Sequence, residues 1–363
     1  MPVTSKTPPA WLLEGVARLR AGLGFLHRST VPANVALLEL AFGAWVTQAL
    51  YAAVELRIAD ALSAGPRSAA EVARSVGADP AATFRLMRAL ASEGVFTLRR
   101  DGRFALAPMG RTLRWDAADS MAPMIAMVGR PEHWSHWSDL LHSVRTGATA
   151  VQKQRGTSMF EYLDTNPDYA AAFNDAMTGV SSLAIEAAVP AYDFTDRRVI
   201  VDVGGGHGAL LAAVLNAAPD ARGVLFDLPS VVPGAAAALD AAGVGHRSTA
   251  LGGSFFESVP EGGDAYLLKT VIHDWSDDQS REILRNVRAA IAPNGKLLLM
   301  ELVLPAGAPP HPGMLLDLEM LVHAGGRERT AAEYAALLAS AGFHQHRVIP
   351  TAGPMSIVEA VPA

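Results

Sequence analysis

Residues 199–208 read VIVDVGGGHG: an apolar run, an acid, then glycines at 204, 205, 206 and 208, followed by the alanine-rich stretch 209–218. A strand that feeds a tight glycine turn and then a helix start points to an α/β sheet with a ligand at the turn. Glycine lacks Cβ, so such a turn can take positive φ and bring backbone N–H groups close to a ligand. An ordinary glycine loop lacks the hydrophobic run on one side and the helix-like run on the other. The spacing admits two cofactor classes. Gly204, Gly206 and Ala209 satisfy the dinucleotide pattern G-x-G-x-x-G/A, while Asp202, Gly204, Gly206 and Gly208 satisfy the D-x-G-x-G-x-G pattern of S-adenosylmethionine enzymes. On the glycines alone, a dehydrogenase and a methyltransferase stand level.

From residue 197 onward strands and helices alternate. Strands are expected at 199–203, 223–227, near 247–250, at 265–269 and at 296–302, with helices after the glycines, at 231–242 and at 277–291. That alternation predicts a doubly wound parallel sheet, whose ligands bind beyond the carboxyl ends of the strands. Gly204, Asp227, Ser254, Lys269 and Glu301 all fall at or near such ends. Asp227 closes the second strand, where an acid suits a ribose diol in either cofactor class.

Composition bounds the rest. At 363 residues the chain exceeds what one core usually fills, so two domains are expected. Half the residues are hydrophobic and 18% are charged, which suits sizeable cores. The balance of 30 basic and 36 acidic residues gives −6, so no attraction to nucleic acid or to an anionic membrane is expected. Cysteine is absent, which excludes disulfides, thiolate metal sites and cysteine nucleophiles and is compatible with a cytoplasmic setting. No metal site is expected.

The N-terminus, MPVTSKTPPAWLLEG, is too weakly apolar for a secretory signal, and residues 1–30 are expected as a loose tail. The window 35–56 is the most membrane-like, but Glu39, Thr47, Gln48 and Glu55 interrupt it. With Leu37, Leu38, Ala41, Phe42, Trp45, Ala49, Leu50 and Ala53 nearly all round, it reads as a helix that needs more than one neighbour. A small module follows. Ser68 and Glu71 make a capping box, Asp79-Pro80 starts a second helix, and 96–108 reads as a hairpin. Helix, helix, hairpin is the winged-helix arrangement, yet its second helix offers only Arg85 and Arg88 among Ala, Leu, Met and Phe, which disfavours DNA reading. Residues 111–190 look mainly helical, with clustered Met124, Met127, His133, Trp134, Trp137, Phe160, Tyr162, Phe173 and Met177.

Four later segments separate the two cofactor classes: GSFF at 253–256, LLKTVIHDWSDD at 267–278, LLLMELVLP at 297–305 and GGRERT at 325–330. In order and spacing these resemble the plant-type and bacterial small-molecule O-methyltransferases, from about residue 30 to the C-terminus. Ser276 with Gln279 and Thr330 with Glu333 are also capping boxes, so part of both motifs is helix punctuation.

The resemblance implies a homodimer with a winged-helix-like dimerisation domain at 31–115, a helical linker and substrate-pocket region at 116–190, and an S-adenosylmethionine-binding Rossmann-like catalytic domain at 191–363. It gives cofactor roles to Asp202, Gly204, Gly206, Asp227, Leu228, Ser254, Phe255 and Lys269. Many plant members carry Asp then Met at the adenine position, where this chain has Ser254 and Phe255. It makes His273 the general base, with Glu301 and Glu328 holding its ring. Phe160, Phe173, Met177 and Met320 would line or clamp an aromatic or polyketide-like acceptor, and Asp274 and His323 are candidate polar contacts. Histidine with a carboxylate partner suits the removal of a hydroxyl proton. Two rivals remain: the same fold performing hydroxylation or decarboxylation, and a winged-helix regulator that senses a small ligand.

Overall fold

The computed structural model describes residues 10–307 and 309–363. The chain forms two compact units, one of residues 22–140 and 157–181, the other of residues 1–21, 141–156 and 182–363. The segment expected as a single linker region, 116–190, is therefore shared between them.

The expected loose tail needs correction where it is described. Residues 1–9 lie outside the described residues, but Ala10–Ser29 is a helix, α1. Its prolines stop at Pro9, and Leu12, Val16, Leu19, Leu23 and Leu26 then recur at three- and four-residue steps, the spacing of one helical face. The membrane-like window is helix α2, Ala33–Glu55, which is long and apolar enough to cross a membrane by length and composition. Only Ala36, Ala53 and Val54 along it are buried.

The first unit continues through a short helix α3 (Ile58–Ala61), α4 (Ala69–Val76), α5 (Pro80–Ser92) and the hairpin β1 (Phe96–Leu98) with β2 (Phe104–Leu106). Ser68 caps α4 through the reciprocal box with Glu71, and Asp79 caps α5 by accepting from Ala82 N–H at 2.8 Å. Val54, Ile58, Leu62, Val72, Met87, Leu90, Phe96 and Phe104 form the core of this module.

The second unit is built on a seven-stranded sheet. Its strands are β3 (Val199–Val203), β4 (Arg222–Asp227), β5 (Ser248–Gly252), β6 (Ala265–Lys269), β7 (Lys296–Glu301), β10 (Phe343–Pro350) and β11 (Ser356–Pro362). A separate short pair, β8 (Val303–Leu304) with β9 (Arg329–Thr330), lies between them in sequence. The sheet order is β10-β11-β7-β6-β3-β4-β5. Strands β3 to β7 are mutually parallel as expected, but β11 runs antiparallel between β7 and β10. The sheet is thus mixed. In β7 Leu297, Leu298, Leu299 and Met300 are all buried, the continuous apolar run that a strand covered on both faces requires. The hairpin β10–β11 carries a register shift between Gln345 and Arg347.

Candidate active site

Five strand ends of the second unit supply the site. At the end of β3 the chain turns through Gly204 (φ 69°), Gly206 (φ 56°) and Gly208 (φ 81°) into the helix Ala209–Ala217. A Cβ on Gly204 would come 2.9 Å from Val271 Cγ2, whereas one on Gly206 would meet nothing within 4 Å. The first glycine makes room for the Val271 side chain; the second faces clear space. Asp227, closing β4, fastens the turn: its carboxylate accepts from Gly206 N–H and Leu228 N–H, each at 2.7 Å. Leu228 itself is exposed.

Asp202 is buried, and its Oδ2 has no hydrogen-bond partner. Burial, with Asp227 adding to it and Lys269 opposing, raises its pKa to about 7. Lys269, at the end of β6, is depressed by its own burial, while Asp202, Glu301 and Asp274 pull the other way. Ser254 turns the chain after β5, its Oγ accepting from Phe256 N–H at 3.3 Å. Phe255 Cε1 stands 3.8 Å from where a Gly204 Cβ would be. Its ring packs on Phe256 (centroids 5.0 Å apart) and edge-on to Trp275 (5.9 Å). Trp275 belongs to a quoted motif but received no role from the sequence, because a tryptophan after His-Asp carries no spacing signal of its own.

After β6 the chain passes Thr270, which holds φ of 52°, an uncommon conformation for a β-branched residue, and enters the single turn Ile272–Asp274. His273 on this turn is 8% exposed. Its Nδ1 lies 2.8 Å from Glu328 Oε1 and 3.9 Å from Glu301 Oε2, and its Nε2 lies 3.6 Å from Asp274 Oδ1. The parallel pairing of Val303 with Arg329 and Leu304 with Thr330 sets the two glutamates near one another, each just ahead of its paired strand.

The two glutamates do different things. Glu328 bonds the imidazole directly, and its own N–H is held by Asp317 Oδ1 at 2.8 Å. Glu301 Oε1 instead accepts from the backbone N–H groups of Val271 (3.2 Å) and Ile272 (2.9 Å), leaving Oε2 buried without a partner. The expectation that both hold the ring is therefore corrected: one holds the ring, the other the turn beneath it. One ligand atom from each of His273, Glu301 and Glu328 lies within 4.8 Å of the others, a spacing that a cation could bridge. The 2.8 Å His273–Glu328 contact is that of a shared proton.

Burial alone would lower the His273 pKa. The carboxylates of Asp274, Glu301 and Glu328 more than reverse this and raise it to about 10. Burial, with Glu328 and Asp274 beside it, lifts Glu301 to about 7 against the opposing charge of His273. Asp274 is raised too, chiefly by burial and then by Glu328, against His273 and Lys269. The cluster is a strong proton acceptor in a dry place.

Of the expected acceptor contacts, Asp274 adjoins His273, Met320 is buried, and His323 Nδ1 lies 3.0 Å from Glu319 Oε1. Phe160, on Met159–Thr165, belongs to the other unit, as do Phe173 and Met177, which lie one helical turn apart on Pro167–Ala188.

The residues present fit a nucleoside sulfonium cofactor. They offer a ribose-suited acid at Asp227, an unpartnered buried oxygen at Asp202, clear space over Gly206 and an aromatic edge at Phe255. Comparison with known proteins agrees. Residues 137–344 match the O-methyltransferase domain family, and residues 38–114 match the O-methyltransferase dimerisation domain. The chain is 46% identical to the phenazine O-methyltransferase of Lysobacter antibioticus over 92% of its own length and 97% of the relative. A solved mitomycin 7-O-methyltransferase superposes with a TM-score of 0.85 at 38% identity, covering 91% of this chain and 98% of that one. An O-methyltransferase from neocarzinostatin biosynthesis was solved with S-adenosylmethionine and 2-hydroxy-5-methyl naphthoic acid. It superposes with a TM-score of 0.76 at 35% identity, covering 88% and 96%.

Proposed function

The chain belongs to the O-methyltransferase family, whose methyl donor is S-adenosylmethionine, and on that premise we propose that it methylates a hydroxyl of an aromatic or polyketide-like small molecule with His273 as general base. The observation that carries the base assignment is the 2.8 Å bond between His273 Nδ1 and the buried Glu328. That bond engages Nδ1 and supports a reading in which Nε2 serves the acceptor. Bound S-adenosylmethionine supplies a methyl group already activated by the positive sulfur. The chain's residues have two remaining tasks: to position the acceptor and to take its proton. A phenol has a pKa near ~10. His273, raised to about 10, is matched to it, so the proton passes between groups of similar basicity. Asp274, Glu301 and Glu328 then offset the charge of the imidazolium.

Asp227, Gly204, Gly206, Asp202, Lys269, Leu228, Ser254 and Phe255 would hold the cofactor, with Ser254 offering adenine a neutral hydrogen bond rather than a charge. Met177, Met320, Phe160 and Phe173 would supply the apolar contacts to the acceptor, with Asp274 and His323 the polar ones. Retention of His273 with both glutamates argues against a non-methylating enzyme of this fold.

We further propose a homodimer built on the N-terminal helices. Leu37, Leu38, Leu40 and Trp45 of α2 are all exposed in the single chain, as are Leu19, Leu23 and Leu26 of α1. An apolar surface of this extent marks an interface, and the dimerisation-domain match spans most of α2. The test of the reaction is a screen of aromatic hydroxyl compounds with labelled S-adenosylmethionine, run on wild type and His273→Ala in parallel. A wild-type rate from His273→Ala at pH 7 overturns the base.

A further inference from the structure

GGRERT contains more than Glu328. Arg329, the next residue, is 1% exposed, and its guanidinium spends its donors on two segments. Nη1 donates to Ile272 O and to Arg327 O, each at 3.1 Å. Nη2 donates to Trp275 O at 3.0 Å and, with Nε, to Asp277 Oδ1 at 2.7 and 3.0 Å. The carbonyls of Ile272 and Trp275 bracket His273 and Asp274 on either side. Asp277 opens the helix that follows, Asp277–Ala290.

The same two segments touch through the backbone. Arg327 N–H donates to His273 O at 2.9 Å, and a Cβ on Gly326 would run into His273 O and the Asp274–Trp275 peptide. Only glycine permits that approach. Neither residue meets the reacting atoms.

We propose that Arg329, seated by the close approach at Gly326, is a positioning residue for the base: it fastens the turn carrying His273 to the segment carrying Glu328 and so sets the Nδ1–Oε1 contact. The planar fork is what the task requires. Five acceptors on two segments, Ser280 Oγ at 3.4 Å among them, lie around one guanidinium, whereas the ammonium of lysine is a compact point charge that cannot span them. The Ile272 carbonyl it serves is buried, so losing the guanidinium leaves that carbonyl unpaired and the turn free to shift.

The proposal rests on His273 being the base, and the experiment separates the two. Arg329→Lys, Arg329→Ala, Gly326→Ala and His273→Ala are assayed for kcat, for KM toward S-adenosylmethionine and for the pH dependence of kcat. Thermal unfolding is measured alongside. Misplacement of a catalytic group by about 1 Å can cost roughly a hundredfold, so Arg329→Lys should lose about tenfold to a hundredfold in kcat with KM for the cofactor nearly unchanged. Its pH profile should move to lower pH, because a loosened Glu328 contact no longer holds the proton on His273. Methylguanidinium, well below denaturing concentrations, should partly restore Arg329→Ala. If that variant does not fold, Arg329→Lys carries the test. Wild-type kcat and an unmoved profile in Arg329→Lys, with His273→Ala inactive, overturn the proposal and leave the base standing. Full activity in His273→Ala removes both.

Discussion

The two units place their costly groups in opposite ways. In the sheet unit the apolar side chains of β6 and β7 are inside, and what is unusual is polar: Asp202, Glu301 and Glu328 are buried, each with an oxygen lacking a hydrogen-bond partner. In the unit that holds α2 the cost runs the other way, with Leu38 52% and Trp45 68% exposed to water. A buried carboxylate oxygen without a hydrogen-bond partner and an exposed tryptophan both disfavour an isolated, finished fold. Each is therefore a place where something else is needed, a small molecule in one case and a second chain in the other. The proposed function rests on polar groups taken out of water in one unit and on apolar groups left in it in the other.

Several substitutions can break that division. His273→Ala should lower turnover by roughly 10²–10⁴, the usual contribution of acid–base catalysis, with cofactor binding changed by no more than a few-fold. Raising the pH should partly restore it on a phenolic acceptor, since the phenolate then forms unaided. Asp227→Ala removes an anchor of the glycine turn together with the proposed ribose contact. By calorimetry it should weaken S-adenosylmethionine by about 1.5–3 kcal/mol, and unchanged affinity would take Asp227 out of the site. Replacing Leu38 and Trp45, seven residues apart on one face of α2, by glutamate should yield monomers in light scattering while cofactor affinity holds. A persistent dimer would mean the exposed face is not the interface.

The smallest effects concern pH. The proposed base would act when neutral, and Asp274, Glu301 and Glu328 hold the proton on, with Lys269 the facing cation, so turnover should climb as pH rises from 7 toward about 10. Glu328→Gln should move that climb down by roughly one to three units, the range for losing a close opposite charge. Glu301→Gln should disturb it less, because its bonded oxygen serves backbone rather than ring. Equal shifts in both variants would erase the distinction between the glutamates.

Much of this was legible in the sequence. The strand at 199–203, the helix at 277–291, and the capping boxes at Ser68, Ser276 and Thr330 are local signals, and the structure places each within a residue of its reading. His273 and Glu328 are 55 positions apart, and only the resemblance joined them. What stayed hidden depends on pairing between distant segments. The antiparallel entry of β11 beside β7 leaves no local mark, since SIVEAVP alternates as any strand might. The service of Glu301 to backbone amides, and of Arg329 to carbonyls, is invisible for the same reason. Helix α1 was missed because nearby prolines outweighed its apolar period.

The bulge in β10 bears on how the molecule avoids its own copies. An open sheet has two unpaired rims, and each is a template onto which another chain can add a strand. At one rim β10 breaks its register between Gln345 and Arg347, carries His344, His346 and Arg347, and ends at Pro350. Its Arg347 is drawn to Glu359 of the neighbouring strand at 2.7 Å. Kinked, charged and closed by proline, that rim offers poor purchase for a further strand. Self-association then falls to the apolar helical faces proposed above for the dimer, where it can stop at two.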